Sequence, residues 1–412
     1  MAPAHRPDVV GDVPGQRSAG VPIAAAGLGI LLLCLRLSVW PHPWPVHPDE
    51  SEFVAALGFP QPYPVHHPGY PLWVLLGTLA RCAGLSDYAA FAGWSIAASC
   101  VAPALLYSWL RLECDGRLAW LAGLWMGVQP TWWFLGVTAW NYSMAGLVAT
   151  GVAGLCWSSL RSGRTGLALV GAVLLSASAG LRPDLLAWLG PLVVWTAWRG
   201  ARRAGVIAAA LLLAGAATWA GVTAWLYRGV GGPSLAHTLS VVHSTSVLSR
   251  GIVDGVARNA VKLLAYLGWS FGAGGALLVA VVLSRRRVAP ARPSEAWFFL
   301  LWLGPVAAFQ LLVHITEIGH AVWYLPPACA ALALTLCRRV GRRTAGVLLS
   351  LAIAASVAQF WFYPWQSGVS GWRRVVNAKV AFASAAGLRR IHERDAMHRP
   401  GDFWTPRSTT GG

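Results

Sequence analysis

A loop after the first apolar run is the part of this chain best suited to chemistry. It carries Asp49, Glu50 and Glu52 within four positions, and His66 and His67 follow them. Three carboxylates so close together at a membrane surface are energetically unfavourable, so they indicate a functional role. One could take a proton from a substrate as a general base, and a second could bind a hydroxyl group or a cation.

A structural role for Asp49 is the alternative. Asp49 followed three residues later by Glu52 has the spacing of a helix N-cap and its reciprocal partner. Residues 50–58 are predicted to form a short helix with Phe53 and Leu57 on one face, suited to the membrane interface. The residues by themselves leave both roles of Asp49 open.

The elements that must position this loop are predicted to be membrane-spanning helices. Hydrophobic residues make up 56% of the 412 residues and charged residues only 11%, whereas soluble domains carry about 25% charged residues. Such a chain cannot cover a water-facing surface, so the predicted fold class is an all-α polytopic membrane protein. At about 20 residues per span, about 11–12 membrane segments are expected. The apolar runs lie at 20–40, 71–86, 88–110, 118–136, 142–160, 166–181, 185–198, 205–227, 260–284, 296–314, 320–337 and 344–363.

Three regions follow from these runs. Residues 1–19 are a polar N-terminus predicted to be cytoplasmic. Residues 20–363 form the membrane domain, in which 41–70 is a structured first outer loop. Residues 364–412 are a basic tail, predicted to be partly disordered, in which 372–392 could form a surface helix.

Arginine placement predicts the orientation of the helices. Four arginine-rich loops are expected on the cytoplasmic side, and the alternate loops, which hold eight of the eleven histidines and six acids, face outward. Despite the net charge of +17, no nucleic-acid partner is expected, because most of the basic residues sit in short clusters between apolar runs and not along one helix face. The clusters are Arg161 and Arg164; Arg199, Arg202 and Arg203; Arg285, Arg286, Arg287 and Arg292; and Arg338, Arg339, Arg342 and Arg343.

One stretch does not fit a simple alternation. If 41–70 lies outside and Arg161 inside, residues 71–160 must cross the membrane an odd number of times, yet they contain four apolar runs. One run, either 71–86 or 118–136, is therefore predicted to be a short re-entrant or interfacial piece, which is tolerated where protein buries it.

Arg182 is predicted to lie inside the protein, because the apolar runs on either side of it are too short to span a bilayer. A buried guanidinium needs an anion, and its planar fork suits phosphate. Pro183 at a helix start leaves backbone N–H groups that favour the same ligand. The alternative is that Arg182 pairs with Asp184 or Glu317 and only holds helices together.

The histidines and acids of the first loop do not match a compact metal site such as HExxH. We therefore assign no metal ligands and no certain cofactor, although a divalent cation stays open.

Asp49-Glu50-Ser51-Glu52-Phe53 and His66-His67-Pro68-Gly69-Tyr70-Pro71-Leu72 resemble the first periplasmic loop of the GT-C superfamily, polytopic glycosyltransferases that use polyprenyl-phosphate-linked sugars. The pattern is similar to the protein O-mannosyltransferase and aminoarabinose-transferase branch. Gly180-Leu181-Arg182-Pro183-Asp184 resembles a "Gly-x-Arg-Pro" element of that superfamily. Gly319-His320-Ala321-Val322-Trp323-Tyr324-Leu325-Pro326 resembles a late "Gly-Tyr-x-Leu-x-x-Leu-Pro" element, with residues inserted before the tyrosine.

The resemblance implies an inverting glycosyltransferase of the bacterial cytoplasmic (inner) membrane, with its active site on the outer face. Asp49 would be the catalytic base and Glu50 its acidic companion. The expected partners are a polyprenyl-phosphate sugar donor, a protein, lipid or polysaccharide acceptor, and membrane lipids. The residues expected to bind donor or acceptor are His66, His67, Tyr70, Arg182, His320 and Tyr324.

Two other functions compete with this hypothesis. A transporter or lipid flippase is expected to pair broken helices in two repeated halves, and only the hairpin 166–198 has that character. A polysaccharide polymerase or ligase is expected to have its key arginines in large outer loops. Candidates for such arginines are Arg228, Arg250 and Arg258.

Overall fold

The computed structural model describes residues 20–39, 48–58, 65, 69–228, 240, 243–244, 246–249, 251–284, 293–363, 380 and 382–389. All regular structure within these ranges is helical, which confirms the all-α prediction for them. The helices are α1 (Gly20–Leu37), α2 (Pro48–Gly58), α3 (Pro71–Cys82), α4 (Asp87–Leu110), α5 (Gly116–Gly127), α6 (Pro130–Leu135), α7 (Tyr142–Ser162), α8 (Thr165–Ala177), α9 (Asp184–Gly200), α10 (Arg202–Leu226), α11 (Ile252–Ser284), α12 (Pro293–Leu312), α13 (Leu325–Arg339) and α14 (Arg342–Phe362).

Seven helical segments in the described part of the chain are long and apolar enough to cross a membrane. By helix length and hydropathy, the chain is therefore a multi-pass membrane protein, as predicted. The seven are Asp87–Leu110, Tyr142–Ser162, Arg202–Leu226, Ile252–Ser284, Pro293–Leu312, Ile318–Arg339 and Arg342–Phe362.

The apolar run 118–136 is not one helix, contrary to its prediction as a single segment. α5 ends at Gly127 and α6 begins at Pro130, because a proline cannot continue the hydrogen-bond ladder of a helix. Arg36 of α1 is fully buried at this break and donates from Nη2 to the Gly127 carbonyl oxygen at 2.6 Å. A cation at the carboxyl end of α5 is also favoured by the helix dipole.

The run 71–86 forms a 12-residue helix, α3, that doubles back onto α4. The indole of Trp94 donates to the Leu76 carbonyl oxygen at 2.9 Å, and Gly77 lies against the Phe91 ring. At 1.5 Å per residue, α3 is only about 18 Å long, which is too short to cross a bilayer core of about 30 Å.

One end of the bundle is tied together by an ionic network. Glu295, at the start of α12, accepts from Arg161 at the end of α7 at 2.7 Å, and from both terminal nitrogens of Arg338 at 2.6 and 3.0 Å. Glu113 pairs with Arg161 and lies 3.8 Å from Arg338. Two of the predicted cytoplasmic arginine clusters therefore meet at the same end, which we call the arginine end.

Glu295→Gln should lower the free energy of unfolding by about 2–4 kcal/mol. The substitution leaves two arginines facing a neutral amide, and breaking a buried pair costs more than breaking an exposed one; the one-third exposure of Arg338 moderates the loss. The apparent midpoint of thermal unfolding in detergent should fall by several degrees. Asp87→Asn is the matched control, because its partner Arg81 is 46% exposed, and it should change the midpoint little.

The C-terminal region differs from the predicted surface helix over 372–392. Among its described residues, Val380, Ala383, Ala385 and Leu388 are buried. The indole of Trp269 in α11 donates to the Ala383 carbonyl oxygen at 3.3 Å. Small apolar residues inside an otherwise basic tail allow this segment to pack into the bundle instead of lying on it.

Candidate active site

The carboxylate helix α2 begins at Pro48, which is a favoured first helical residue. Asp49 and Glu50 therefore lie within its first turn, where the helix dipole stabilises negative charge. The N-cap interpretation of Asp49 placed that residue before the helix, and the structure places it one position inside. The Asp49 side chain is half-buried.

The apolar face of α2 is turned toward protein and not toward the membrane interface, so that prediction was wrong. Phe53 and Leu57 are 2% and 6% exposed. The Phe53 ring contacts the rings of Tyr70 and Phe91, with centroids 5.8 and 6.0 Å apart. Burial of Phe53 and Leu57 against α3 and α4 fixes the position of the carboxylates at the start of α2.

Glu50 anchors α2 to the bundle. Its side chain is fully buried, and its Oε2 accepts a hydrogen bond from the backbone N–H of Ala139 at 2.9 Å. Ala139 belongs to the link between α6 and α7. This bond fixes the first turn of α2, in which the Asp49 side chain is more accessible than that of Glu50.

Tyr70 has the left-handed backbone conformation, with φ 41° and ψ 53°, directly before Pro71 of α3. Gly69 before it has φ 105°, a backbone angle that residues other than glycine rarely adopt. The hydroxyl of Tyr227 donates to the Gly69 carbonyl oxygen at 2.9 Å. The end of α10 thus helps to hold the bend that directs Tyr70 into the protein.

Tyr70 connects the carboxylate helix to Arg182. Burial raises the pKa of the Tyr70 hydroxyl well above its ordinary value, and the positive charge of Arg182 opposes that rise. The negative charges of Asp184, Asp49 and Glu317 add to it. The Tyr70 ring also lies 5.6 Å from the Arg182 guanidinium carbon and contacts Phe53 of α2, so it stands between the two elements that carry the predicted phosphate ligand and the predicted base.

Arg182 lies between a 3₁₀ turn, Ser178–Gly180, and α9, and 8% of its side chain is exposed. Its Nε and Nη2 donate to the two carboxylate oxygens of Asp184 at 3.3 and 3.1 Å, and its Nη1 donates to Asn141 Oδ1 at 3.2 Å. A guanidinium has five N–H groups, so two have no acceptor among the residues that the structure describes. The predicted pairing of Arg182 with Asp184 is present, and the two remaining N–H groups of the guanidinium are available to bind an anion.

Aromatic rings surround the Arg182 guanidinium. Its carbon lies 4.4 Å from the centroid of Tyr142 and 5.6 Å from the centroids of Tyr70 and Trp323, which are cation–π distances. Burial by itself lowers the pKa of Arg182, but Asp184, Tyr142 and Tyr70 together outweigh this effect and hold the pKa well above its ordinary value. Arg182 is therefore a permanent positive charge.

The turn before α13 closes the site on the side of Tyr142. The Tyr142 hydroxyl donates to the Glu317 carboxylate, and Gly319 packs directly on the Tyr142 ring. His320 is 8% exposed, and its ring centroid lies 6.0 Å from that of Tyr142. Because a side chain at Gly319 would overlap the ring, this contact requires glycine.

Two of the predicted binding residues have buried polar atoms without a hydrogen-bond partner in the described part of the chain. They are Nδ1 of His320 and the hydroxyl of Tyr324. Buried polar groups are usually hydrogen-bonded, so these two atoms are candidates for contact with a bound molecule. His320 and Arg182 both pack against the ring of Tyr142.

The remaining predicted positions, His66 and His67, lie outside the described residues, as does Arg250. Within the described part of the chain, no group of three or more His, Cys, Asp or Glu side chains is arranged to hold a metal ion.

Sequence reasoning missed Asn141 and Tyr142 and gave Glu317 only a pairing role. Asn141 accepts from Arg182 and donates from Nδ2 to the Leu181 carbonyl oxygen at 3.1 Å. An available signal was the position of Asn141 and Tyr142 at the polar start of a span whose other end carries Arg161. That placement puts them at the end of the bundle opposite the arginine end.

Comparison with known proteins adds no assignment. No model of a known protein family matches the chain, and no curated protein matches it significantly. The resemblance to the GT-C superfamily therefore depends on the motifs of the first loop and stays a hypothesis.

Proposed function

We propose that the chain is a membrane glycosyltransferase of the GT-C type. It transfers a sugar from a polyprenyl-phosphate donor to an acceptor hydroxyl and inverts the anomeric configuration. The observation that carries the proposal is the position of Tyr70, whose ring lies 5.6 Å from the permanently charged Arg182 and against Phe53 of α2, the helix that carries Asp49 in its first turn. A phosphate ligand and a general base in one enclosed site are the two groups that this reaction needs.

In the proposed step, Asp49 takes the proton of the acceptor hydroxyl while that oxygen attacks the anomeric carbon. The bond between the anomeric carbon and the donor phosphate oxygen breaks, and its electron pair leaves with the lipid phosphate. The two unused N–H groups of Arg182 stabilise the charge that develops on the phosphate. Glu50, held by Ala139, fixes the first turn of α2, which carries Asp49.

The proposed topology has eleven crossings. The seven long segments are joined by four shorter or broken ones, namely α1, the α5–α6 pair, α8 and α9. Packing directions agree with this count: α1 runs parallel to α5, since Trp120 donates to the carbonyl oxygen of Ala24 and Arg36 reaches Gly127. The short α3 does not cross, so residues 71–160 cross three times. The N-terminus is then cytoplasmic, and α14 ends on the outer side.

This topology predicts opposite labelling of two exposed positions. In a background without native cysteines, His243→Cys should react with a membrane-impermeant maleimide on intact cells. Arg203→Cys should react only after the membrane is permeabilised. The reverse pattern would place α2 and Arg182 in the cytoplasmic half and would remove the proposed active-site location.

The reaction itself is tested in proteoliposomes that contain a lipid extract rich in polyprenyl-phosphate sugars, together with membrane acceptors. The purified protein should release polyprenyl phosphate, measured by mass spectrometry of the lipids, while the Asp49→Asn variant should not. Equal lipid profiles with active protein, inactive variant and empty vesicles would contradict the proposed transfer.

A transporter is the second candidate, and one observation favours it. α11 is interrupted at Gly272, with φ 53° and ψ −157°, and interrupted helices mark the substrate sites of many transporters. Movement of a labelled polyprenyl-phosphate sugar across the proteoliposome bilayer, without release of polyprenyl phosphate, would support this function.

A further inference from the structure

We propose that a groove at the arginine end binds the headgroup of an anionic phospholipid. The groove is a cavity of about 530 Å³ between α1, the end of α4 and the start of α5. It lies at the opposite end of the bundle from Arg182 and Asp49, so it is a separate site from the proposed active site. Its lining residues are Ala24, Tyr107, Arg111, Asp115, Gly116, Arg117, Trp120 and Leu121.

Two arginines supply the charge. Arg111 and Arg117 both line the groove, and neither guanidinium makes a hydrogen bond or an ion pair with any residue that the structure describes. The one acid in the lining, Asp115, accepts from the backbone N–H of Arg117 at 3.0 Å and lies 3.6 Å from Arg342. The groove therefore has an excess of positive charge and ten guanidinium N–H donors, five from each arginine.

The shape and position of the groove favour a lipid over a soluble anion. Trp120 and Tyr107 stand beside the arginines, and aromatic rings of this kind are typical of the membrane–water boundary. The adjoining face of α1 is apolar and open, with Ile23 and Ile30 exposed by 75% and 62%. If Arg111 and Arg117 hold the phosphate of a phospholipid, the acyl chains of that lipid would lie along this face.

The predicted cytoplasmic position of the groove also favours an anionic phospholipid. Anionic phospholipids give the cytoplasmic leaflet its negative surface potential, which attracts basic residues near the membrane. The arginine end is the end that the loop arginines assign to the cytoplasm. A lipid bound there would brace α1 against the turn between α4 and α5.

The test measures retention of phosphatidylglycerol by native mass spectrometry of the detergent-purified full chain, titrated with phosphatidylglycerol or with phosphatidylcholine. The parent protein should bind phosphatidylglycerol in preference. Arg111→Gln with Arg117→Gln should weaken that binding by about 30-fold, from about 1 kcal/mol for each basic residue near an anionic surface. Arg202→Gln with Arg203→Gln is the matched control, since both residues are exposed near the same end but outside the groove, and it should leave the affinity unchanged.

Equal weakening by both pairs of substitutions would show a general effect of surface charge and overturn the site, as would unchanged affinity in the groove variant. The single variant Arg117→Gln, at an exposed position, serves if the double variant does not fold, and it should weaken binding by about fivefold. Inorganic phosphate at millimolar concentration should not displace the lipid, and displacement would identify a soluble anion as the ligand. None of these outcomes depends on the glycosyltransferase activity.

Discussion

Asp49→Asn should transfer sugar about 10²–10⁴-fold more slowly than the parent protein, the usual loss when a general base is removed. The amide keeps the shape of the side chain and can still accept a hydrogen bond from a backbone N–H, but it cannot take a proton. Because Asp49 is half-buried within the first turn of α2, the substitution should cost at most about 1 kcal/mol of stability. Initial rates of polyprenyl-phosphate release and an unfolding midpoint from the same preparation measure both effects.

Two neighbouring substitutions serve as controls for Asp49. Glu52→Gln should have the smallest effect, since Glu52 lies beyond the first turn of α2 that holds Asp49 and Glu50. Glu50→Gln should reduce the rate less than Asp49→Asn, because the amide oxygen of the substituted side chain could still accept from the backbone N–H of Ala139. Normal transfer by Asp49→Asn with no transfer by Glu50→Gln would move the base by one residue. Normal transfer by both would exclude this loop from the chemistry.

Arg182→Lys should lower kcat/KM for the donor by about 30-fold or more. Lysine keeps a positive charge next to Asp184 but loses the planar fork that can hold a carboxylate and a phosphate at once. Truncating one partner of a buried, hydrogen-bonded charge pair typically costs about 2–5 kcal/mol, which corresponds to about 30- to 5,000-fold. Arg182→Ala should fall in the upper part of that range. The measurement is the dependence of the initial rate on donor concentration, corrected for the amount of folded protein.

Asp184→Asn separates donor binding from helix pairing. If Arg182 only pairs with Asp184, both Arg182→Ala and Asp184→Asn should lower the unfolding midpoint alike, and activity per folded molecule should stay normal in each. We expect instead that Asp184→Asn keeps more activity per folded molecule than Arg182→Ala, because the guanidinium and its bond to Asn141 remain. Near-full activity of Arg182→Lys would contradict the phosphate assignment.

The apolar runs of the sequence predict the seven long apolar helices, because hydropathy is a local property. The sequence also predicts that Arg182 lies inside the protein, since the apolar runs beside it are short. Pro130 marks the break between α5 and α6 in the sequence. The high average hydropathy of the run 118–136 nevertheless makes it resemble one continuous segment. The burial of Ala383 and Leu388 was missed for the opposite reason, because basic neighbours dominate that stretch.

The partners of the candidate site could not be read from the sequence, because they depend on contacts between distant helices. The bond from Arg182 to Asn141 joins residues 41 positions apart, and the bond from Tyr142 to Glu317 joins residues 175 positions apart. The direction in which α2 faces was also set by tertiary packing. The spacing of Phe53 and Leu57 is compatible with contact either with lipid or with protein. In the structure they are buried because α3 and α4 pack against that face of α2.

The central claim, sugar transfer from a polyprenyl-phosphate donor, is tested most directly by the glycan and glycolipid profile of a strain that lacks this chain. Compared with its parent, the deletion strain should lack one sugar on a surface glycan, protein or lipid and should accumulate the matching polyprenyl-phosphate sugar. The parent chain should restore the sugar, and Asp49→Asn, expressed at the same level, should not. A deletion strain with an unchanged glycan profile and no accumulated donor would contradict the claim.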